Sequence, residues 1–203
     1  NFWIFQQLLH PILTNYLVIP TYGASADFGK ILIGLSHKFS ILSKAVYKKE
    51  KKGEIPRYFP RKFPNALAIL ALNQFKKLER FNQHRREIVH YLYHVLNNTD
   101  FILPLSKAKE DIIPTFMRYP ILFKGNTDKI LIESLIINFF LNDGWRKTPI
   151  VPPDTNLKKV KYKFGSCPKA EKIAQKIINL PTHINISKTS AQKIVDFLKS
   201  YGS

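Results

Sequence analysis

The sequence predicts an α+β domain that follows a long helix and an apolar helical segment. Apolar residues recur with helical spacing over residues 65–97, short β-rich runs follow Pro104, and two capped helical patterns close the chain. Counted from the long helix, the predicted order is helix, strand, helix, strand, helix, helix. We expect four segments: an apolar helical segment 1–52, a proline-rich connector 53–64, a connecting helix 65–98 and the α+β domain 99–203.

Composition and charge limit the function classes. A content of 45% hydrophobic residues in 203 excludes disordered and collagen-like chains. The 32 basic against 14 acidic residues give a net charge of +18, which favours an anionic partner such as phosphate, nucleic acid or a lipid surface. A single Cys167 excludes an internal disulfide and predicts a reducing, cytoplasmic location. Because the chain begins with Asn1 and not Met, we expect it to be part of a longer protein.

Residues 2–52 are apolar but interrupted by proline and glycine, so we expect no membrane-spanning helix. Two helices are predicted, Phe2 to Ile19 and Ala26 to Tyr47, followed by a lysine cluster at 48–52. Such a segment could lie on an anionic membrane at the cytoplasmic face. The alternative is that it packs against protein, and we favour packing because interfacial helices are less frequent.

The connector holds three prolines, which neither a helix nor an inner strand accepts. Pro64 suits the first turn of a helix that we expect to run from Asn65 to about Asn97. Its first two turns are apolar on all sides, which predicts deep burial. Its second half, from Lys76 to Glu87, is basic and is expected to enter solvent.

The remaining elements are predicted from β-formers, caps and periodicity. Pro120 within the first strand indicates an edge strand or a bulge, and Asn126 or Thr127 should cap the helix that follows. The full set is a strand at Thr115–Phe123, a helix through Ile130 to Ile136, a strand at Asn138–Leu141, a helix from Pro168 to about Ile178, and a helix from Lys188 to about Tyr201 that is capped by Ser187 and stopped by Gly202.

Residues that could carry chemistry are few. His90 and His94 have the i, i+4 spacing that places two imidazoles on one helical face, but no HExxH motif surrounds them, and we interpret them as surface or packing residues. Cys167 at a helix start is interpreted as a buried small residue. No glycine-rich phosphate loop occurs, so positive side chains must form any anion site. The candidates are Arg61, Lys62, Arg118, Arg146 and Lys147.

The stretch from Lys158 to Phe164 alternates lysines with Val160, Tyr162 and Phe164. Interleaved basic and aromatic residues can bind nucleic acid. A half-buried edge strand with one charged face explains the pattern equally well.

Two stretches resemble one family. Residues 64–78, PNALAILALNQFKKL, with Asn82 and the run 85–88, RREI, resemble the long helix of the DegT-type sugar aminotransferases. Residues 167–181, with the conspicuous Cys167, Pro168 and Glu171, and then Ile186, Ser187 and the last helix, are similar to that family's C-terminal signature. The resemblance covers roughly Pro60 to Leu198, and the two stretches together are much more specific than either alone.

The resemblance implies an α/β fold of the aspartate-aminotransferase type. This chain would supply its α+β C-terminal small domain, the long connecting helix and an N-terminal helical segment. It also implies a pyridoxal-phosphate enzyme, working as a homodimer, that takes an amino group from an amino-acid donor and transfers it to a keto-sugar nucleotide. The lysine that binds the cofactor would lie upstream of Asn1, so we expect the chain alone to be inactive. Lys30 follows Ser25 by five residues as that lysine does, but Ala26 replaces the usual aromatic, and we interpret the spacing as coincidence.

The resemblance also implies site residues. The family's Asn-Tyr-Arg motif, which reaches the neighbouring subunit's cofactor phosphate, is replaced here by Pro60, Arg61 and Lys62, while Asn65 matches the family's asparagine. Lys62 offers a point charge in place of a bidentate fork. We therefore expect cofactor contacts from Arg61, Lys62 and Asn65, and substrate contacts from Arg118, Trp145 and Arg146. A basic nucleic-acid-binding module without catalytic activity is the alternative, which we disfavour because the lysines are spread along the chain.

Overall fold

The structure is a computed structural model that describes residues 2–18, 28–43, 47–55, 59–60, 62–103, 113–136, 139, 141, 150 and 155–202. The chain divides into two units, Asn1–Lys76 and Lys77–Ser203. The division falls inside the segment that was predicted as one connecting helix. The four predicted segments, with their boundaries after residues 52, 64 and 98, stay predictions.

The first unit is helical. It contains α1 (Phe2–Leu13), which continues as a π-helical segment (Thr14–Val18), followed by α2 (Phe28–Lys38), α3 (Lys48–Lys51) and α4 (Asn65–Phe75). The first predicted helix is therefore confirmed as helical through Val18. The second was predicted too long, because Ser40 takes a φ of 56° and the helical backbone ends at Lys38.

Two glutamines of α1 hold the chain that follows α2. Gln6 donates a hydrogen bond to the main-chain oxygen of Ser40, and Gln7 donates one to the hydroxyl of Ser43. Leu42, between Ser40 and Ser43 in the chain, is buried. Among the described residues, every helix is too short or too polar to traverse a lipid bilayer.

The predicted connecting helix is two helices in the structure. α4 ends at Phe75 and α5 extends from Leu78 to Leu96, with Lys76 and Lys77 between them. The prediction that the start of this helix is deeply buried is wrong: α4 has no buried residue, and Ile69 and Phe75 are each 70% exposed. A helix that is apolar on all sides needs neighbours on all sides. Within the described part of the first unit, α1 packs on α4 and leaves the rest of its surface uncovered.

The second unit is an α+β domain, as predicted. Three strands form an antiparallel sheet in the order β1-β2-β3. The elements are α5, β1 (Phe101–Ile102), β2 (Arg118–Phe123), α6 (Thr127–Glu133), α7 (Pro168–Ala174), β3 (Ile177–Pro181) and α8 (Lys188–Lys199).

The core of this unit lies between one face of the sheet and the helices. Tyr119 and Ile121 of β2 and Ile178 and Leu180 of β3 are at most 1% exposed. They share one cluster with apolar residues of α5 and α8, whose principal members are Ile88, Leu92, Leu96, Ala191, Ile194, Val195 and Leu198. Helical spacing in α5 and α8 and strand alternation in β2 bring these side chains to one side.

Pro120 lies in the central strand, so the predicted edge position is wrong, and the continuous register of β2 with β3 also excludes the predicted bulge there. The amide of Phe123 donates to the oxygen of Lys176 across 3.0 Å. Because amide direction alternates along a strand, position 120 faces the β1 side. In the described chain β1 pairs only with Leu122 and Phe123, so the proline costs the sheet no hydrogen bond.

Three predictions near the C-terminus need correction. The helix from Pro168 ends at Ala174 and not near Ile178, because the β-branched residues that follow pair with β2 as β3. Of the strand predicted at Asn138–Leu141, the structure describes Phe139 and Leu141, and neither is in a strand. The lysine-rich stretch 158–164 forms turns and not an edge strand, and Lys161 takes a φ of 57°.

The predicted caps are largely confirmed. Asn126 caps α6, since its side chain accepts hydrogen bonds from the amides of Asp128 and Lys129. Ser187 caps α8 by accepting from the amide of Ser190 across 3.1 Å. Thr127, the alternative cap, instead donates its hydroxyl to the oxygen of Gln175 across 2.7 Å and thereby ties α6 to the end of α7.

Candidate functional site

The candidate site is an open groove of about 790 Å³ in the second unit, on the face of the sheet that the core does not use. Strands β2 and β3 form its floor, α5 contributes Arg85, and the segment after β3 contributes Thr182 and His183. The complete lining is Arg85, Met117, Arg118, Pro120, Ile177, Asn179, Pro181, Thr182 and His183.

Strand alternation explains why Arg118 points into this groove. Tyr119 and Ile121 are buried in the core, so Arg118 and Pro120 project from the opposite face of β2. The register places Arg118 opposite Pro181 and Pro120 opposite Asn179. The arginine is thus fixed by the burial of its neighbour in the chain.

Thr182 holds the two strand ends together at this groove. It is completely buried, and its hydroxyl lies 2.6 Å from the main-chain oxygen of Phe116 and 3.1 Å from that of Met117. These contacts join the residue before His183 to the segment before Arg118. The Phe116 ring packs edge-on against Tyr119, with 6.1 Å between centroids, which also restrains this end of β2.

The groove is positively charged. Arg85 and Arg118 are permanently cationic, and no carboxylate is among the described residues that line the groove. Partial burial lowers the pKa of His183, and the positive charges of Arg118, His84 and Arg85 lower it further. His183 therefore favours its neutral form at neutral pH, and an anion that offsets the arginines would favour its protonated form.

Arg85 retains unused hydrogen-bonding capacity. Its Nη1 donates to Oδ1 of Asn82 across 3.3 Å, whereas its buried Nε has no hydrogen-bond partner. An unpaired buried donor costs free energy, and a ligand that accepts from it recovers that cost. Together with the charge, this arrangement suits an anionic ligand.

The predicted site residues do not all fall in this groove. Arg118 lines it. Lys62 and Asn65 belong to the first unit, where both are exposed. Arg61, Trp145 and Arg146, together with Lys147, lie outside the described residues.

Sequence reasoning missed the groove's other polar residues. Arg85 had been assigned to a solvent-facing helix, His183 to the dispersed histidines, and Thr182 had not been singled out. Arg85 and His183 are far apart in the chain, and long-range contacts such as the pairing of β2 with β3 bring the segment after β3 towards α5. The sequence analysis could not place them because it predicted a helix up to about Ile178, where β3 begins, and did not predict β3.

The start of α4 is chemically suited to an anion. Pro64 occupies the N-cap in extended conformation, no side chain caps the helix, and its first turn holds no acidic residue. Helix N-termini favour anions, and the exposed Lys62 precedes this one by three residues. Lys62 and Asn65 therefore fit a phosphate group. Lys30 lies in α2.

The C-terminal signature stretch has a structural explanation. Pro168 occupies the first turn of α7, and the buried Glu171 accepts hydrogen bonds from the hydroxyl of Tyr162 and the amide of Gly165. These bonds lower the pKa of Glu171, the contact with Tyr162 being the largest cause, and they hold it ionised. Cys167 is free and half-buried, and not fully buried as predicted.

Histidine, cysteine, aspartate and glutamate do not gather in groups of three or more around a potential metal position anywhere in the described ranges. His90 and His94 lie on the exposed face of α5, in agreement with their interpretation as surface residues.

Residues 38–199 match the model of the DegT/DnrJ/EryC1/StrS aminotransferase family. The chain belongs to this family, and it contributes part of a fold of the aspartate-aminotransferase type. The family is pyridoxal-phosphate dependent. A comparison with curated protein sequences finds no significant match.

Solved structures of the same family share the fold at low identity. A Streptococcus pneumoniae protein described as a sugar aminotransferase, in its pyridoxal-phosphate form, is 19% identical to this chain. It superposes with a TM-score of 0.60 over 78% of this chain and 45% of its own. S. venezuelae DesV is 16% identical, with a TM-score of 0.56 over 73% of this chain and 41% of its own. A family member from Brucella abortus is 16% identical, with a TM-score of 0.50 over 64% and 33%. This chain thus spans less than half the length of these relatives.

Proposed function

We propose that this chain is the C-terminal part of an aminotransferase that acts on a keto sugar linked to a nucleotide. The cationic groove between Arg85 and Arg118 is the observation that carries the proposal. A nucleotide-linked sugar brings a diphosphate, which is the type of anion that two arginines and a free guanidinium N–H recognise. Trp145 and Arg146, outside the described residues, would shape the mouth of the same substrate site.

The chain's own residues would act in binding and closure. Lys62 and Asn65, with Arg61, would hold the cofactor's phosphate at the start of α4. Arg85 and Arg118 would hold the substrate diphosphate, and the Thr182 contacts would keep Arg118 in position. Pyridoxal phosphate, when bound, supplies the electron sink that lets an amino group pass between donor and acceptor carbons.

Binding of uridine diphosphate to the 203-residue chain tests the groove. Isothermal titration should give one site, and Arg118→Ala and Arg85→Ala should each weaken binding roughly 10- to 100-fold, since a charge-assisted hydrogen bond contributes about 1.5–3 kcal/mol. The matched control is Arg80→Ala, an exposed arginine on the same helix that does not line the groove. Equal affinity in all four proteins would refute the substrate assignment.

A further experiment tests whether the groove recognises the nucleotide or only its negative charge. Inorganic phosphate should compete weakly with uridine diphosphate for binding, whereas another nucleoside diphosphate at the same concentration should compete fully. Competition by DNA that disappears steeply with added salt would instead support the nucleic-acid-binding alternative. Family membership over residues 38–199 argues against that alternative.

The location of the cofactor-binding lysine is tested directly. We expect the chain alone to be inactive and to carry no covalently bound cofactor. Borohydride reduction after addition of pyridoxal phosphate should leave Lys30 without a pyridoxyl adduct in peptide mapping. An adduct at Lys30 would place the cofactor lysine within this chain and overturn the proposal.

The proposed partners are a second copy of the chain in a homodimer, an amino-acid donor and the sugar nucleotide, in the cytoplasm. Residues 2–52 would also contact a membrane if the exposed apolar residues of α1, such as Phe2 and Phe5, insert into it. This contact is separate from the proposed activity. Flotation with anionic liposomes, with and without residues 2–52, answers it: loss of flotation on their removal supports contact, and unchanged flotation excludes it.

A further inference from the structure

His90 and His94 form an unusual pair on the outer face of α5. They are four residues apart, both are exposed, and their Nε2 atoms are 3.1 Å apart. The rings meet edge to face, with 4.3 Å between centroids and 69° between planes. The two ring nitrogens are therefore close enough for one ion to contact both.

That geometry matches the bite of a metal ion. An imidazole nitrogen binds Zn²⁺ at about 2.0–2.1 Å, so two nitrogens 3.1 Å apart subtend an angle of about 98° at an ion bound to both. The angle lies between the roughly 90° of square-planar and the roughly 109° of tetrahedral coordination, the geometries that Cu²⁺ or Ni²⁺ and Zn²⁺ prefer. The pair could therefore chelate without a change in the helix.

The surroundings leave room for water ligands. The histidines line an open depression of about 560 Å³. Arg86 borders it, but Glu79 engages its guanidinium across 2.6 Å. Of the described residues that line the depression, Glu87, three residues before His90, carries a negative charge, and Lys188 carries a positive charge.

We propose that His90 and His94 bind one divalent ion of the copper, nickel or zinc type. Water completes the coordination, since no third protein ligand lies close enough among the described residues. This site is independent of the cationic groove and of the proposed aminotransferase activity. The competing explanation of the same geometry is a direct hydrogen bond between two imidazoles, which needs no ion.

Cu²⁺ is the probe, because copper binds imidazole most tightly of the divalent first-row ions. Titration of the untagged 203-residue chain in a non-coordinating buffer should give one equivalent, with nitrogen hyperfine splitting in the electron paramagnetic resonance spectrum. His90→Ala and His94→Ala should each abolish that equivalent. Gln83→Ala, which alters the same depression without removing a ring nitrogen, should retain it.

A second measurement guards against misfolding. Bound metal stabilises the folded state by mass action, so Cu²⁺ should raise the unfolding temperature of the wild type and of Gln83→Ala but not of the histidine variants. Circular dichroism should show unchanged helix content in both histidine variants, since alanine is the better helix former. An unchanged copper equivalent in both histidine variants, or none in the wild type, would leave only the imidazole hydrogen bond and overturn the proposal.

Discussion

The hydroxyl of Tyr162 donates a hydrogen bond to Oε1 of Glu171 across 2.6 Å, and this contact closes the turn that precedes α7. The amide of Gly165, which has a φ of 90°, donates to the same oxygen across 2.8 Å. The carboxylate of Glu171 therefore holds this turn together, which gives a structural role to one residue of the C-terminal signature. The turn should lose stability in acid, where Glu171 is protonated, and in strong alkali, where Tyr162 loses its proton.

Replacing Glu171 by Gln should lower the unfolding temperature at neutral pH and have less effect in acid. The folded-state pKa of Glu171 lies below its usual value of 4.5, so the carboxylate's contribution is present above that value and is lost as the pH falls through the lowered pKa. Thermal unfolding from pH 7 down to pH 3 measures it. Glu87→Gln, at an exposed carboxylate of α5, is the control and should shift the unfolding temperature little at any pH. A constant difference between E171Q and wild type across this range would contradict the assignment.

Tyr162→Phe should lower the unfolding temperature at neutral and mildly alkaline pH, because it removes the hydrogen bond to Glu171. The hydrogen bond to Glu171 is the main cause that raises the pKa of Tyr162 to about 12. The contribution of this group is complete below the usual phenol value of 10 and is lost as the pH rises through about 12. Unfolding temperatures should therefore differ between Y162F and wild type at pH 8 and converge towards pH 12. Ultraviolet titration should also lose one late-titrating tyrosine.

Thr182→Val should destabilise the second unit by roughly 1–3 kcal/mol, because the substitution keeps the shape but removes a buried donor from two main-chain oxygens. Denaturant unfolding measures the change. Thr189→Val, at an exposed position of α8, should change the free energy of unfolding by no more than about 0.5 kcal/mol. If Thr182 positions Arg118, the variant should also weaken nucleotide binding at temperatures where it remains folded.

His183 should report on occupancy of the groove. Partial burial and the neighbouring cations depress its pKa, so an anion bound beside Arg118 and Arg85 should raise that pKa towards or above 6.5. Proton NMR of the His183 ring, titrated with and without uridine diphosphate, measures the shift. At a fixed pH, the ring signals of His10, in the first unit, should not move when the nucleotide is added. A pKa of His183 that ignores a bound nucleotide would place the ligand elsewhere.

Ile178→Ala should cost about 2–5 kcal/mol, because Ile178 of β3 is 1% exposed and lies opposite Ile121 of the central strand β2. Ile132→Ala makes the same chemical change at a position that is 67% exposed on α6, and the free energy of unfolding should move by no more than about 0.5 kcal/mol. Comparable losses in the two variants would show that β3 is not the core strand described here.

Local signals predicted the local features well. Asn126 and Ser187 were identified as caps because a side-chain oxygen ahead of a helical pattern satisfies its first amides. The strand at β2 was identified from its β-formers. Features that depend on distant partners were missed: β3 follows α7 after only two residues, and its strand identity comes from pairing with β2. The exposure of α4 likewise depends on neighbours and not on its own sequence.

The candidate site was predictable only in part. Arg118 was chosen as an arginine among aromatic residues on a strand, and the structure places it in the groove. Arg85 and His183 carried no such local mark. Their role arises from the tertiary arrangement, in which a helix and a loop about 100 residues apart border one sheet face.

Pro120 has a consequence for the behaviour of the protein in concentrated solution. Among the described residues, β1 pairs with β2 only at Leu122 and Phe123, and on that side of β2 position 120 has no amide donor, which an intruding strand from another molecule would need. The proline therefore interrupts the ladder that edge-to-edge aggregation would require. A residue that lines the groove on one face of the sheet thus also limits which strands can be added at its side.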